Sequence, residues 1–428
     1  AGMTMEKHTV EDVDVIFDHG GRKDWGKYTF PVFYGLPVIL RWNRHEFHFN
    51  QLGQVRRIYS RARYWPNAQE TLKRTIADDW IFMSTFGYES SFSLMKSHYV
   101  PLTAYHDPAL FLQDDRPLES DYVAEALHMF DELVTRAADL ARNGAPPRAA
   151  AFLDKLARFD RSALARERDR LYDILGGHLT VLPPDTIDVE YEVIPLQISD
   201  GCTGGCAFCK FNDGIGFRVR DRDNIRTQTA ALRDFFGEDL INYNAIVLGQ
   251  NDALAAGADA IDFAARLAYD ELGIADSYHQ GSFLYMFAGA HTLIDSGEDV
   301  FEALDQLPFS NIFVNVGLES PHEETLQQLG KPQGADDVRF AFDKIRHLNS
   351  DFHKLNISCN FVVGDDLPRA HVDAVRELLS EADTRMMRGT AYISPLENAA
   401  SPRLTRNDFT SIKLAAKMPV YLYLVQRL

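Results

Sequence analysis

From Val193 onward the chain repeats one pattern: short runs rich in β-branched and aromatic residues return at intervals of roughly 30 to 50 residues, with helical periodicity between them. The runs are VIPLQIS (193–199), NAIVLGQ (244–250), FLYMFAG (283–289), NIFVNVG (311–317), NISCNFVVG (356–364) and TAYISP (390–395). The intervening helices centre near Ala231, Ala264, Ala303, Phe340 and Val375. Strands alternating with helices read as βα units, because parallel neighbours need a crossover of about this length. The pattern predicts an α/β fold, either a partial (β/α)6 TIM-like barrel or a doubly wound open sheet. Both place chemistry on loops at the C-terminal ends of the strands.

Residues 1–185 follow another grammar and are expected to form an N-terminal mixed, mainly helical domain that shapes or caps the substrate site. PVILRW (37–42), EFHFN (46–50) and QVRRIY (54–59), joined by turn-like NRH and QLG, predict a small antiparallel portion. Val123, Leu127, Phe130, Val134 and Ala137 step by four and three, which predicts an amphipathic helix over 118–143. A second helix is expected over about 147–175, before the glycine and proline punctuation of GGH (176–178) and PPD (183–185) that marks the domain boundary. The βα domain then spans 186–402, and 403–428 is expected to be a C-terminal helix.

Directly after the first predicted strand stands DGCTGGCAFCKFNDG (200–214), which holds three of the chain's 4 cysteines. Cys202, Cys206 and Cys209 are spaced C-x3-C-x2-C, so three thiolates from one compact loop meet at a centre and leave a fourth coordination position open. Structural zinc wants four closed ligands, commonly as paired C-x2-C knuckles, and no second knuckle is present. A zinc site completed by His279, His291 or Cys359 and a redox pair of Cys206 and Cys209 are the competing readings. With no disulfide framework, the thiols imply a reducing compartment.

CTGGCAFC resembles the cluster loop of the radical S-adenosylmethionine (radical SAM) enzymes. The resemblance implies that Cys202, Cys206 and Cys209 ligate a [4Fe–4S] cluster whose open iron is chelated by S-adenosylmethionine (SAM), with Phe208 near the adenine. LGQND (248–252) is similar to the family's glycine-rich motif after the second strand, which implies cofactor contacts from Gly249, Gln250 and Asn251. VNVGLESPHEETLQQLGKP (314–332) and FVVGDDLP (361–368) resemble fourth- and fifth-strand signatures of the subgroup containing coproporphyrinogen oxidases, methylthiotransferases and elongator-like proteins. They imply cofactor roles for Glu319, Ser320, Val363 and Gly364. With only Cys359 left over, the chain resembles a single-cluster member.

Alternation along the strands adds an independent reading. Asn311, Phe313, Asn315, Gly317 and Glu319 share one face of the fourth strand, and Asn356, Ser358 and Asn360 share one face of the fifth. A polar face in a covered sheet requires a polar lumen. Gln197, Ser199, Tyr392 and Ser394 follow by the same alternation, and Cys359 points to the helix layer. Glu319, Asn315, Asn360 and Tyr392 are therefore the candidates for catalytic contact with a substrate. RVRDRDNIR (218–226) is either a solvated face or a clamp for a carboxylate.

The resemblance implies reductive cleavage of SAM to a carbon radical, usually 5′-deoxyadenosyl, acting on a small-molecule substrate, with an external electron donor such as flavodoxin or ferredoxin. Transfer of the 3-amino-3-carboxypropyl group of SAM to an acceptor, for example arsenic as in arsinothricin biosynthesis, is the alternative chemistry. A non-catalytic iron–sulfur or zinc protein is the alternative class. A net charge of −18 disfavours nucleic acid as a partner. The absence of long apolar runs and of basic and apolar leader blocks predicts a cytoplasmic protein without a membrane association.

Overall fold

The computed structural model describes residues 5–18, 35–62, 65, 71–83, 99–101, 120–178, 181–189, 191–204, 206, 216–249, 251–381, 388–396 and 402–423. Two sheets organise it. The first is an 8-stranded antiparallel meander in chain order, β1 (Met5–Val10), β2 (Val13–Asp18), β3 (Val38–Trp42), β4 (His45–Phe49), β5 (Val55–Ser60), β6 (Thr71–Arg74), β7 (Trp80–Met83) and β8 (Tyr99–Pro101). The antiparallel portion thus extends well beyond the three strands read from sequence.

Helix α1 (Asp121–Arg142) lays Val123, Phe130, Val134 and Ala137 against the sheet, where the Phe49 and Phe130 rings meet tilted, their centroids 6.4 Å apart. Burying a side chain the size of Phe130 contributes about 1.5–3 kcal/mol. The single helix expected over 147–175 is two, α2 (Pro147–Leu156) and α3 (Arg161–Leu175). The break follows from Asp160, whose carboxylate accepts the Ala163 amide at 2.7 Å and caps a new N-terminus.

The second sheet is 7-stranded and wholly parallel: β9 (Ile194–Leu196), β12 (Ala245–Leu248), β13 (Phe283–Gly289), β14 (Asn311–Glu319), β15 (Leu355–Val363), β16 (Ala391–Pro395) and β17 (Val420–Leu422). Each strand pairs with the next in sequence, so the sheet has no reversal of strand order. That decides between the two expected architectures, because a doubly wound sheet reverses at its switch point and a barrel does not. The barrel is partial: among the described residues β9 and β17 do not pair with each other.

Helices α4 (Arg222–Phe236), α5 (Ala258–Glu271), α6 (Ala290–Asp295), α7 (Glu298–Asp305), α8 (Glu323–Gln328), α9 (Ala335–Asp351), α10 (Arg369–Ser380) and α11 (Pro402–Ala415) fill the crossovers and the outer layer. Ile312, Val314, Val316 and Leu318 are fully buried in the core on the helix side, as the alternation requires. Among the described residues no helix is long and apolar enough to cross a membrane.

Two expectations are corrected. The run 193–199 is not one strand: the barrel ladder ends at Leu196, and Ser199–Asp200 (β10) instead pairs antiparallel with Arg218–Val219 (β11), the two ends of the cysteine loop returning on each other. The segment 403–428 is not a single helix either. Helix α11 stops at Ala415, and β17 adds a seventh strand beside β16.

The meander packs on the first βα unit. Glu192, just before β9, holds Arg56 at 3.0 Å and Lys73 at 2.7 Å from the meander, all three buried. Asp239, after α4, accepts the Gln51 amide at 3.1 Å, the Asn242 side chain at 2.8 Å and the Tyr191 hydroxyl at 3.0 Å. Burial pushes its carboxyl up to about 6.

Candidate functional site

The loop after β9 leaves the barrel at its C-terminal rim, and two of its sulfurs flank Gly204. A Cβ placed on Gly204 would lie 3.6 Å from the Cys206 sulfur and 3.9 Å from the Cys202 sulfur. Both thiols are half-buried and outside any disulfide, and the Gly204 amide donates to the Cys202 sulfur at 3.4 Å. Cys209 and Phe208 lie outside the described residues, as does Gln250 of the second-strand motif. Two convergent thiols with an amide donor on one of them are the donor chemistry of a thiolate-held iron–sulfur centre.

The base of the loop is pinned by charge. Asp200 accepts Arg218 at 3.0 Å and Arg220 at 2.6 Å, and Arg220 also donates to the Leu175 carbonyl at the end of α3. The hydrogen bonds to the two arginines hold the Asp200 carboxyl below its ordinary range against the opposing effect of partial burial. Farther along RVRDRDNIR, Arg222 and Arg226 lie over the Phe263 ring at 4.8 and 5.0 Å. The stretch is a clamp at its start, directed at the chain's own Asp200, and a surface contact at its end.

Opposite the cysteines, at the exit of β14, Glu319 stands at φ 65, a left-handed conformation that costs a non-glycine residue of order 1–3 kcal/mol and clusters at functional sites. Its carboxylate receives the Lys331 ammonium at 3.1 Å, both side chains 10% exposed. Cys206 stands close enough to act on Lys331 as well: burial alone would lower the Lys331 pKa, and the influence of Glu319 and then Cys206 reverses this and raises it. Gly317 makes room for the pair, since a Cβ there would sit 2.7 Å from the Glu319 Oε1 and 3.6 Å from the Lys331 Nζ. The fourth-strand exit and the cysteine loop therefore meet through Lys331, a residue the sequence reading quoted in LGKP and gave no role.

In the lumen the expected polar residues are present, most of them engaged with one another. Asn315 donates to Ser358 at 2.8 Å and to Asn360 at 3.1 Å, and Asn360 donates back to Asn315. Ser358 and Tyr392 donate to the two oxygens of Asp185 at 2.6 and 3.0 Å. Asp185, read from sequence only as part of a domain boundary, enters the barrel from the linker before β9 and makes its polar floor. The Tyr423 hydroxyl holds the same linker at the Leu182 carbonyl, 2.6 Å away. Asn315 and Tyr392 are almost wholly buried, whereas Asn360 is only half-buried.

Other candidates sit elsewhere. Ser320 is fully buried and bonded to His371 Nδ1 at 2.8 Å, while His371 Nε2 lies 2.6 Å from the Val362 carbonyl. A carbonyl only accepts, so His371 carries its proton on Nε2 and accepts the Ser320 hydroxyl on Nδ1. That commits Ser320 to holding β14, β15 and α10 together. Val363 belongs to the helix-side core and gives its carbonyl to the Leu396 amide at 2.8 Å; a Cβ on Gly364 would press on Leu396 at 3.2 Å. Gly249 (φ 67) turns the chain after β12 and Asn251 follows it half-buried. Cys359 is fully buried in the helix-side core, and burial drives its thiol far above the ordinary value. His279 precedes β13 and so lies at the end of the barrel opposite the cysteine loop.

Residues 196–379 match the family described as the Radical SAM superfamily. Among curated proteins none matches the chain. Solved structures similar to it include the cobalamin-dependent S-adenosylmethionine radical enzyme OxsB with aqua-cobalamin bound, at 14% identity, TM-score 0.36, covering 54% of this chain and 33% of that one. The same enzyme with aqua-cobalamin and S-adenosylmethionine bound matches at 15% identity and TM-score 0.35, over 54% of this chain and 32% of that one. Methylornithine synthase (PylB) matches at 12% identity and TM-score 0.34, over 68% of this chain and 85% of that one. The chain thus spans about a third of the length of OxsB.

Proposed function

The chain carries a radical SAM domain over residues 196–379, and from that premise we propose that Cys202, Cys206 and Cys209 hold the family's [4Fe–4S] cluster. Three thiolates would leave one coordination position of such a cluster open to SAM. A small-molecule substrate lies in the lumen beneath. Held by the cysteines and reduced by an external donor such as flavodoxin or ferredoxin, the cluster would supply the one electron that splits a C–S bond of SAM into a carbon radical, usually 5′-deoxyadenosyl, and a neutral thioether, methionine in that case.

The chain's own residues do the binding and the shielding. Lys331 offsets thiolate charge at Cys206. Glu319 presents a carboxylate from a strained backbone at the rim, where it accepts a hydroxyl of the SAM ribose or of the substrate. Gly249 and Asn251 line the second-strand exit. Asn360, half-buried and fixed by its bonds to Asn315, offers its remaining donor and acceptor capacity to the substrate. The floor built on Asp185 closes the lumen below, which keeps water from a reactive intermediate.

The observation that carries this reading is the buried ion pair of Lys331 with Glu319, formed beside Cys206. It brings the cysteine loop and the fourth-strand exit, two rim motifs distant in sequence, to one place. The test is anaerobic reconstitution followed by SAM turnover with dithionite. The expected product is 5′-deoxyadenosine; methylthioadenosine would assign 3-amino-3-carboxypropyl transfer instead. Bound metal with neither product would assign a non-catalytic metal protein.

A further inference from the structure

The stretch LGQND contains a carboxylate that the reading above leaves unused. Asp252 is 1% exposed and lies past the Gly249 turn, where a Cβ on Gly249 would come within 2.8 Å of the Ala253 Cβ. Its carboxylate receives three donors from three segments. The Thr203 hydroxyl, between Cys202 and Cys206, donates to Oδ2. The Thr292 hydroxyl on α6 donates to the same oxygen at 2.7 Å. The Gly289 amide, at the end of β13, donates to Oδ1 at 3.0 Å.

We propose that Asp252 is a positioning residue for the cysteine loop: through Thr203 it fixes where Cys202 and Cys206 stand relative to the exits of β12 and β13. This rests on the cluster reading given above.

A buried carboxylate stays only where its acceptor sites are filled, so its three donors define its place. One of these donors is the side chain next to Cys202. Moving the loop would strip Asp252 of a hydrogen bond made to a charged group, among the stronger kinds. The loop is thereby held by side-chain contacts at two points, Asp200 at its base and Asp252 at Thr203. Residues of this kind orient metal ligands without touching the metal, and their removal typically weakens metal affinity by about 10- to 100-fold.

The test compares the wild-type chain with Thr203→Val, Thr203→Ser and Asp252→Asn under anaerobic reconstitution with limiting iron and sulfide. It reads iron per chain, the visible and electron paramagnetic resonance spectra, and the thermal midpoint of the metal-free protein. Valine keeps the branched shape of threonine and removes only the hydroxyl; serine restores the hydroxyl. The expected result is an iron affinity lower by about tenfold in Thr203→Val and in Asp252→Asn, with recovery in Thr203→Ser and a metal-free midpoint for Thr203→Val close to wild type. Thr203→Val loading iron as wild type does, with an unchanged spectrum, would overturn the proposal alone. A wild-type chain that takes up no iron would overturn it together with the cluster reading.

Discussion

Lys331→Met removes the ammonium that stands between Glu319 and Cys206 while keeping the length and most of the volume of the side chain. Glu319 is then a carboxylate with a 10% exposed side chain, its Lys331 ion pair gone. Breaking a buried pair from one side costs about 3–5 kcal/mol, because the charge left behind cannot recover its hydration. For a chain of this length that corresponds to a fall in Tm of about 3–6 °C. The pairing also predicts a compensation. Glu319→Gln with Lys331→Met leaves a neutral amide beside a thioether, so the double variant should recover more than about 1 kcal/mol relative to the sum of the single losses. Urea denaturation of the metal-free chain and of the three variants gives the cycle directly. Additivity of the two single effects within about 0.3–0.5 kcal/mol would refute the account of Glu319 and Lys331 as a buried pair.

Three other perturbations follow from the same geometry. Gly317→Ala brings a methyl to 2.7 Å from the Glu319 Oε1, so it should displace the pair and cost about 1–3 kcal/mol, read by denaturation, with weaker SAM binding read by calorimetry on the reconstituted protein. Asp239 has its carboxyl raised to about 6 from 3.8 by burial. The folded state therefore binds the proton more tightly, so this group favours folding at low pH and loses that contribution, about 3 kcal/mol, as pH rises from about 4 to 6. Asp239→Asn should remove that slope, and denaturation of both proteins across pH 4–7 would show an unchanged slope if the assignment is wrong. Cys359→Ala should lower stability by about 1–2 kcal/mol and leave iron content at the wild-type level, whereas loss of iron would make Cys359 a ligand.

Six barrel strands were legible because parallel strands covered by helices leave short runs rich in apolar and β-branched residues, continuous in FLYMFAG and apolar on one face in NIFVNVG. The seventh strand was not, since Val420–Leu422 is three residues long and its pairing with β16 leaves no periodic signal. Alternation sorted the lumen correctly in β14, where Asn315 faces Ser358 and Val314 faces the helices. Periodicity assigns a face; it does not say what occupies the space beyond it. Asn315 and Tyr392 looked available to a substrate, yet Tyr392 and Ser358 bind Asp185 across 207 and 173 residues of chain. Ser320 is likewise taken by His371, 51 residues on. Asp252 and Lys331 were within quoted motifs, and their importance depends on three-dimensional proximity to Thr203 and Cys206 that spacing does not encode. The cysteine loop drew notice in the sequence because its signal is local: C-x3-C-x2-C spacing needs no distant partner to be seen.

Three cysteine thiolates on one cluster would leave one coordination position for SAM. Electron paramagnetic resonance of the reconstituted, dithionite-reduced chain, recorded without and with SAM, reports on that position. The expected result is a reduced [4Fe–4S] signal whose line shape changes on adding SAM and which is missing in Cys206→Ala. A signal indifferent to SAM, or a chain that binds zinc and no iron, would contradict it.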